Sequence, residues 1–131
     1  MELAKKIFGD MTRHKAMLIG AGEMAELAVE HLMHHETDAV CVANRTFENA
    51  VKLAGRFRGS AIGFEEIPRA LGEVDIIISS TGAPELVITR DQVKRAMKKR
   101  NHSTLFFIDI AVPRDIDPAV ADIDGIHYFD I

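Results

Sequence analysis

The residues best suited to chemistry in this chain form a glycine-rich turn, Gly20-Ala21-Gly22-Glu23-Met24-Ala25, which matches the pattern G-x-G-x-x-A. In this pattern the first glycine permits a tight turn, the second lets the backbone approach a pyrophosphate, and the alanine lets a helix pack closely on a sheet. An apolar run precedes the turn and an amphipathic segment follows it. We therefore predict that residues 20–24 bind a dinucleotide at a helix N-terminus, the alternative being a purely structural turn.

A second segment, Asn44-Arg45-Thr46, indicates which dinucleotide is bound. Domains that prefer NAD usually have an acidic residue at the end of the second strand, where it binds the ribose 2′-hydroxyl. Here Arg45 can instead pair with a 2′-phosphate and stack on the adenine, while Asn44 and Thr46 donate hydrogen bonds. This segment predicts NADPH as the cofactor. The alternatives are a solvated arginine at position 45 and a helix N-cap at Thr46.

Two later segments are predicted to complete the site. In a doubly wound sheet, ligands bind outside the carboxyl ends of the strands, at the point where the strand order reverses. Small residues that leave room for a ribose and a nicotinamide follow the fourth apolar run: Ser80, Thr81 and Gly82. The loop at 109–118 is expected to close over the nicotinamide, and its candidate contacts are Asp109, Ala111, Val112 and Pro113. Asp109 is either a functional carboxylate or a cap for local backbone.

Alternating apolar runs and amphipathic segments must position these residues. The runs predict strands at 16–19, 39–43, 60–63, 75–79, 105–110 and 126–129. The amphipathic segments predict helices at 23–35, 47–57, 64–71 and 89–100, the last with Thr89 as its N-cap. This alternation is typical of an α/β fold with a doubly wound parallel sheet. We predict a three-layer Rossmann fold with about six strands in the order 3-2-1-4-5-6.

Length and composition limit the remaining possibilities. The chain has 131 residues, of which 47% are apolar and 27% charged, so it fits one globular domain. We assign residues 15–131 to the NADP(H)-binding domain and residues 1–14 to the remnant of a connecting helix or linker. A net charge of −4 argues against this domain holding nucleic acid by itself. The single cysteine, and the lack of roughly 18 consecutive apolar residues, predict a cytoplasmic protein.

The other reactive side chains favour structural roles. Cys41 lies inside an apolar strand, where a thiolate is poorly stabilised, so we predict a buried core cysteine. His31, His34 and His35 are spaced so that they could clamp a metal on one helix face, but no further ligand stands at a suitable spacing. We therefore predict no metal site.

Four segments together resemble the NADPH-binding domain of glutamyl-tRNA reductase: 20–28, 43–46, 78–84 and 108–118. The glycine turn is shared with many enzymes, and Asn-Arg-Thr is also typical of shikimate dehydrogenases. The specific segment is Asp109-Ile110-Ala111-Val112-Pro113-Arg114-Asp115-Ile116-Asp117-Pro118. The resemblance covers roughly residues 5–130.

The resemblance implies an oxidoreductase of tetrapyrrole (porphyrin) biosynthesis. In this family a cysteine of an N-terminal domain attacks the ester of glutamyl-tRNA, which releases the tRNA and leaves a thioester on the enzyme. Hydride from NADPH on the central domain then reduces the thioester to glutamate-1-semialdehyde. A helical C-terminal domain dimerises the enzyme. The implied partners are glutamyl-tRNA, bound through the other domains, a second copy of the enzyme, and the next enzyme of the pathway, glutamate-1-semialdehyde aminomutase. The chain then contains no catalytic residue, and alone it binds NADPH but reduces nothing.

Two other functions stay open at this stage. The chain could be the nucleotide-binding domain of a shikimate-type dehydrogenase, although its 109–118 loop does not resemble theirs. It could also be a non-enzymatic dinucleotide sensor, which would need its own dimer interface. The basic residues Lys94-Arg95 and Lys98-Lys99-Arg100 either orient tRNA in a full enzyme or form a solvated helix face, and we favour the solvated face.

Overall fold

The computed structural model describes residues 15–20, 23–34, 39–81, 83–111 and 113–130, without the side chains of 31–34. Some of the predicted features lie outside the described residues: the connecting segment 1–14, His35, and the site candidates Ala21, Gly22, Gly82 and Val112.

Six parallel strands form one sheet in the order β3-β2-β1-β4-β5-β6, which confirms the predicted fold class. The strands are β1 (Lys15–Gly20), β2 (Ala39–Ala43), β3 (Ser60–Ile62), β4 (Ile76–Ser80), β5 (Leu105–Asp109) and β6 (Ile126–Asp130). The strand order reverses between β1 and β4, and there Gly20 lies opposite Ser80. The carboxyl ends of these two strands therefore meet at the switch point where such sheets bind ligands.

Among the described residues, four helices connect the strands: α1 (Glu23–His34), α2 (Phe47–Arg56), α3 (Ile67–Ala70) and α4 (Arg90–Lys99). The Thr89 hydroxyl accepts a hydrogen bond from the Gln92 backbone N–H, so the predicted N-cap of α4 is confirmed. The prediction of one helix over 64–71 is wrong. A 3₁₀ turn, Phe64–Glu66, precedes α3, which is a single helical turn. Pro68 is tolerated at the start of α3 because backbone N–H groups in the first turn of a helix have no partner within the helix.

Apolar layers on both faces of the sheet form the core, as the three-layer prediction requires. Side chains of β1 alternate between the faces: Met17 lies in one layer and Leu18 in the other. The helical spacing of Phe47 and Val51 predicts that they face inward, but they are 52% and 48% exposed. Met24 and Leu27 also have helical spacing, and they too are exposed. Small residues instead face the sheet from α1 and α2, Ala25 and Ala50 among them, so both helices pack closely on it.

Arg100 is buried, although the basic cluster that contains it is predicted to form a solvated helix face. Its side chain is only 6% exposed, and it donates hydrogen bonds to the carbonyl oxygens of Leu71 (2.8 Å), Val74 (2.6 Å) and Thr104 (3.0 Å). A guanidinium nitrogen also lies 3.6 Å from a carboxylate oxygen of Asp75. Burial lowers the pKa of Arg100 and the Asp75 charge opposes that shift. Arg100 therefore holds the segment before β4 against the start of β5.

Candidate cofactor site

Gly20 forms the turn at the switch point between β1 and β4. Its φ is +94°, a conformation that glycine adopts without strain. A Cβ at this position would lie 2.5 Å from the carbonyl oxygen of Ser80, so no other residue fits without moving β4. Gly20 thus has the conformation expected of the first glycine of a dinucleotide-binding turn, and it lets the ends of β1 and β4 approach closely.

The first turn of α1 lies immediately beyond this glycine turn. Glu23 and Met24, both predicted to contact the cofactor, are exposed in that first turn. Ala25 is fully buried, which agrees with the close helix–sheet packing expected of the final alanine in the pattern. The N-terminal backbone N–H groups of α1 therefore lie at the carboxyl edge of the sheet, where they can bind a phosphate.

The Asn44-Arg45-Thr46 segment follows the carboxyl end of β2. The Asn44 side-chain oxygen accepts a hydrogen bond from the Thr46 backbone N–H at 3.0 Å, which fixes a local turn. Within the described part of the chain, the Asn44 amide nitrogen and the Thr46 hydroxyl have no hydrogen-bond partner. Thr46 is the N-cap of α2 by position, but its side chain makes no capping bond. The Asn44 amide and the Thr46 hydroxyl therefore remain available as the hydrogen-bond donors that the sequence predicts.

Arg45 is exposed but has a defined neighbour. Its guanidinium carbon lies 4.8 Å from the centre of the Phe64 ring, within the range of a cation–π interaction. Phe64 is half-buried in the 3₁₀ turn after β3 and packs against the core. Sequence reasoning missed Phe64, because a single phenylalanine 19 residues away carries no local signal for this contact. The ring restricts where the Arg45 charge can lie.

Asp115 is a fully buried carboxylate that joins the loops after β4 and β5. It accepts hydrogen bonds from the Ser79 hydroxyl (2.7 Å) and the Thr81 backbone N–H (2.7 Å), and also from the Thr81 hydroxyl. Ser80, between these two residues, is half-buried at the end of β4. Sequence analysis did not single out Asp115. Three hydrogen bonds to one carboxylate hold the end of β4 in a fixed conformation.

Asp109 organises the loop that follows β5. It is fully buried, and its two oxygens accept hydrogen bonds from the backbone N–H groups of Ala111 (3.0 Å), Asp115 (3.0 Å) and Ile116 (2.8 Å). Burial raises the pKa of Asp109, while the Ile116 and Ala111 N–H groups act in the opposite direction. Of the two roles open to Asp109 from sequence, the structure gives it the capping of local backbone. Among the other candidates in this loop, Ala111 is buried and Pro113 exposed.

Backbone contacts clamp the same loop against the segment after β4. The Asp115 carbonyl oxygen accepts from the N–H groups of Val87 (2.7 Å) and Ile88 (3.0 Å), and the Asp117 N–H donates to the Ile88 carbonyl at 3.0 Å. Ile88 and Ile116 form an isolated parallel bridge. The described residues beyond β4 and β5 are therefore tied to each other, and they form a preorganised surface at the carboxyl edge of the sheet.

Cys41 is the only thiol in the chain and does not belong to this surface. It is half-buried in β2 and packs against the core, rather than fully buried as predicted. Burial, reinforced by the nearby charge of Glu73, raises the pKa of Cys41 to about 11. The thiol is therefore protonated at neutral pH and a poor nucleophile, in agreement with the non-catalytic role predicted from sequence.

The raised pKa predicts slow alkylation of Cys41 in the folded protein. Relative to an ordinary thiol, a pKa near 11 reduces the thiolate fraction at pH 8 about 100-fold. Intact-mass spectrometry after iodoacetamide treatment at pH 8 measures the rate, and the same chain in urea is the control. Equal rates for the folded and unfolded chain would contradict this description of Cys41.

Metal-binding clusters and membrane-spanning helices are both absent from the described residues. No group of three or more His, Cys, Asp or Glu side chains in that part of the chain could hold a metal ion. None of the helices described there has the length and apolar character needed to cross a membrane.

Comparison with known proteins identifies what this arrangement is similar to. The sequence model of the shikimate / quinate 5-dehydrogenase family matches residues 2–131. Glutamyl-tRNA reductases of Solidesulfovibrio magneticus and Desulfatibacillum aliphaticivorans are 56% and 58% identical over the whole chain, which spans 29% and 30% of their length. The resemblance to this enzyme is therefore confirmed, and the chain covers about 30% of these relatives.

Solved structures agree with this similarity. The glutamyl-tRNA reductase from Methanopyrus kandleri superimposes with a TM-score of 0.94 at 38% identity, over 98% of this chain and 33% of that one. The nucleotide-binding domain of a Thermoplasma volcanium glutamyl-tRNA reductase superimposes with a TM-score of 0.63 at 16% identity, over 97% of this chain and 83% of that one. The second likeness supports the fold alone.

Proposed function

Since this chain belongs to the shikimate / quinate 5-dehydrogenase family, we propose that residues 15–131 are the NADPH-binding domain of a glutamyl-tRNA reductase. Two observations favour this enzyme over a dehydrogenase of shikimate. The chain is more than half identical to glutamyl-tRNA reductases along its full length. The 109–118 loop is the most specific part of the resemblance, and Asp109 and Asp115 tie its described residues to one another and to the end of β4.

The choice of NADPH rests on Arg45. No carboxylate occupies the end of β2 where an NAD-binding domain binds the ribose, and the Arg45 guanidinium is held on the Phe64 ring beside that position. A guanidinium pairs bidentately with a phosphate and stacks on an aromatic base. Arg45 is thus suited to the adenosine 2′-phosphate, and the Asn44 and Thr46 donors are suited to the same group.

The rest of the site fits the remaining parts of a dinucleotide. The N-terminus of α1, with Gly20 before it, binds the pyrophosphate. We place the ribose and nicotinamide beside Ser80, Thr81 and Ala111, at the ends of β4 and β5, where the hydrogen bonds of Asp115 fix the end of β4. When bound there, NADPH supplies a hydride. The chain binds and orients the cofactor and excludes water from one side of it.

The reaction needs groups that this chain does not contribute. Its single thiol, Cys41, is protonated and packed against the core, so the thioester forms on a cysteine of another domain. In the proposed enzyme that thioester is reduced to glutamate-1-semialdehyde for tetrapyrrole synthesis. We further propose a cytoplasmic location, because charged tRNA is used in the cytoplasm. The family resemblance also leads us to propose a homodimer, and glutamate-1-semialdehyde aminomutase as the enzyme that receives the product.

The substrate proposal is tested on the full-length gene product. NADPH oxidation at 340 nm is expected with glutamyl-tRNA and not with uncharged tRNA, and no reduction of NADP is expected with shikimate or quinate. Oxidation of shikimate by NADP, in the absence of any reaction with glutamyl-tRNA, would assign the chain to the second enzyme class. Tight NADPH binding without turnover of glutamyl-tRNA or shikimate would favour the sensor function and contradict the proposal.

A further inference from the structure

Helix α4 exposes four cationic side chains on its outer surface. Lys94, Arg95, Lys98 and Lys99 are all exposed, and we call this set the basic face. The opposite side of the helix is buried in the core through Val93, Ala96 and Met97. The basic face is therefore not needed to anchor α4 to the sheet.

The charges of the basic face are unpaired within the described part of the chain. None of its four side chains lies within 4.0 Å of a carboxylate oxygen there, whereas Arg56 and Arg69 each form a salt bridge. Like charges four residues apart destabilise a helix, and the basic face contains two such pairs. The helix dipole favours cations only in the last turn, so it accounts for Lys98 and Lys99 but not for Lys94 and Arg95.

Positive charge is also segregated along the chain. Residues 90–100 contain six of the sixteen Lys and Arg residues and only one of the twenty Asp and Glu residues. This segment therefore carries a net charge of +5, and the rest of the chain carries −9. A polyanion is attracted to this segment and repelled by most of the remaining chain, so the charge pattern favours one orientation of such a partner.

A groove beside the basic face adds a second source of cations. It lies between α3 and α4 and has a volume of about 460 Å³. Arg95 and Lys99 line it from α4, and Arg69 lines it from α3. Glu73 also lines the groove, and Arg69 is paired with Glu66. A backbone phosphate in the groove would be next to cations from two helices, whereas a flat charged surface offers them from one side only.

We propose that the basic face of α4 binds the phosphate backbone of the tRNA substrate, an inference that rests on the proposed function. Because β4 and β5 are parallel, α4 runs from the carboxyl edge of the sheet back to the amino edge. The C-terminal half of the basic face is therefore distant from the cofactor site. A lysine ammonium is a point charge, which can bind a backbone phosphate whatever the RNA sequence is. An acidic protein would need a carboxylate placed opposite each cation, so the basic face favours RNA as the partner.

The test uses the full-length protein and the double variant Arg95→Ala/Lys99→Ala. At about 150 mM salt we expect tRNA to bind about ten-fold more weakly, and the slope of log affinity against log salt to fall by about two, one for each lost phosphate contact. The Kd for NADPH should not change. The matched control is Lys52→Ala/Arg58→Ala, which removes two exposed cations at α2 and the turn after it, and should bind tRNA normally. The charge-preserving exchange Arg95→Lys/Lys99→Arg should restore binding.

The results separate this inference from the proposed function. If the full-length protein reduces glutamyl-tRNA but the double variant keeps wild-type tRNA affinity and salt slope, the inference is overturned. The proposed function then stands, and the basic face is left to an acidic protein partner. A protein that reduces no glutamyl-tRNA overturns both. Weaker tRNA binding and a lower slope, restored by the exchange variant, support the inference.

Discussion

Replacing Asp109 with alanine is expected to lower the free energy of unfolding by about 4 kcal/mol, one of the largest single-residue effects in this domain. The carboxylate is fully buried and accepts three backbone hydrogen bonds, from Ala111, Asp115 and Ile116. Each buried N–H left without an acceptor costs about 1–3 kcal/mol, and partial opening of the loop to water reduces the sum. A domain of this size is stable by only about 5–15 kcal/mol.

Urea unfolding followed by circular dichroism measures this effect. Asp122→Ala is the matched control, because Asp122 is an exposed aspartate in the 3₁₀ turn Pro118–Asp122, and its loss should change stability by less than about 0.5 kcal/mol. The stability of Asp109→Asn should lie between those of the two alanine variants. An amide keeps one acceptor oxygen, but in place of the other oxygen it has an NH₂ group, which cannot accept from a backbone N–H. A stable Asp109→Ala protein with an unchanged loop would show that Asp109 does not organise it.

The loop matters beyond stability, because Asp109 and Asp115 prepare the carboxyl edge of the sheet before any ligand arrives. Asp109 accepts from the backbone N–H groups of Ala111, Asp115 and Ile116, and Asp115 in turn binds Ser79 and Thr81 at the end of β4. Because these hydrogen bonds already order the surface, a ligand that binds there causes a smaller loss of conformational entropy. We therefore regard both aspartates as residues that position the site rather than as cofactor ligands.

Much of this fold could be predicted from the sequence, because it depends on local patterns. The central strands contain continuous apolar runs such as 76–78, which parallel strands buried on both faces require. The glycine pattern located the switch point, and Thr89 as N-cap marked the start of α4. The helix faces were less predictable. Met24 and Phe47 fit a helical apolar stripe, but smaller residues occupy the positions nearest the sheet.

The unpredicted features are contacts between residues far apart in sequence. Arg45 meets Phe64 across 19 positions, Ser79 meets Asp115 across 36, and Arg100 meets Leu71 across 29. Each partner has an ordinary alternative role as a surface cation, a loop aspartate or a helix-terminal arginine. No periodicity or motif distinguishes the buried arginine from the exposed ones, because its burial is decided by the packing of α3 against α4.

Replacing Arg45 with alanine is expected to weaken NADPH binding roughly 30- to 100-fold, while leaving NADH binding within about two-fold of wild type. The guanidinium is the only cation that follows β2 directly, and the Phe64 ring holds it 4.8 Å away. Loss of a charge-assisted bond to a phosphate costs about 2–3 kcal/mol, and NADH has no 2′-phosphate to lose. Lys52→Ala, which removes an exposed cation from α2, is the matched control.

The measurement that tests the central claim most directly is a paired titration of this 131-residue chain with NADPH and NADH, followed by fluorescence of the reduced nicotinamide. The wild type and Lys52→Ala should bind NADPH at least about ten-fold more tightly than NADH, and Arg45→Ala should bind both with similar, weak affinity. Equal affinities in the wild type, or an unchanged preference in Arg45→Ala, would contradict the assignment of this surface as an NADPH site.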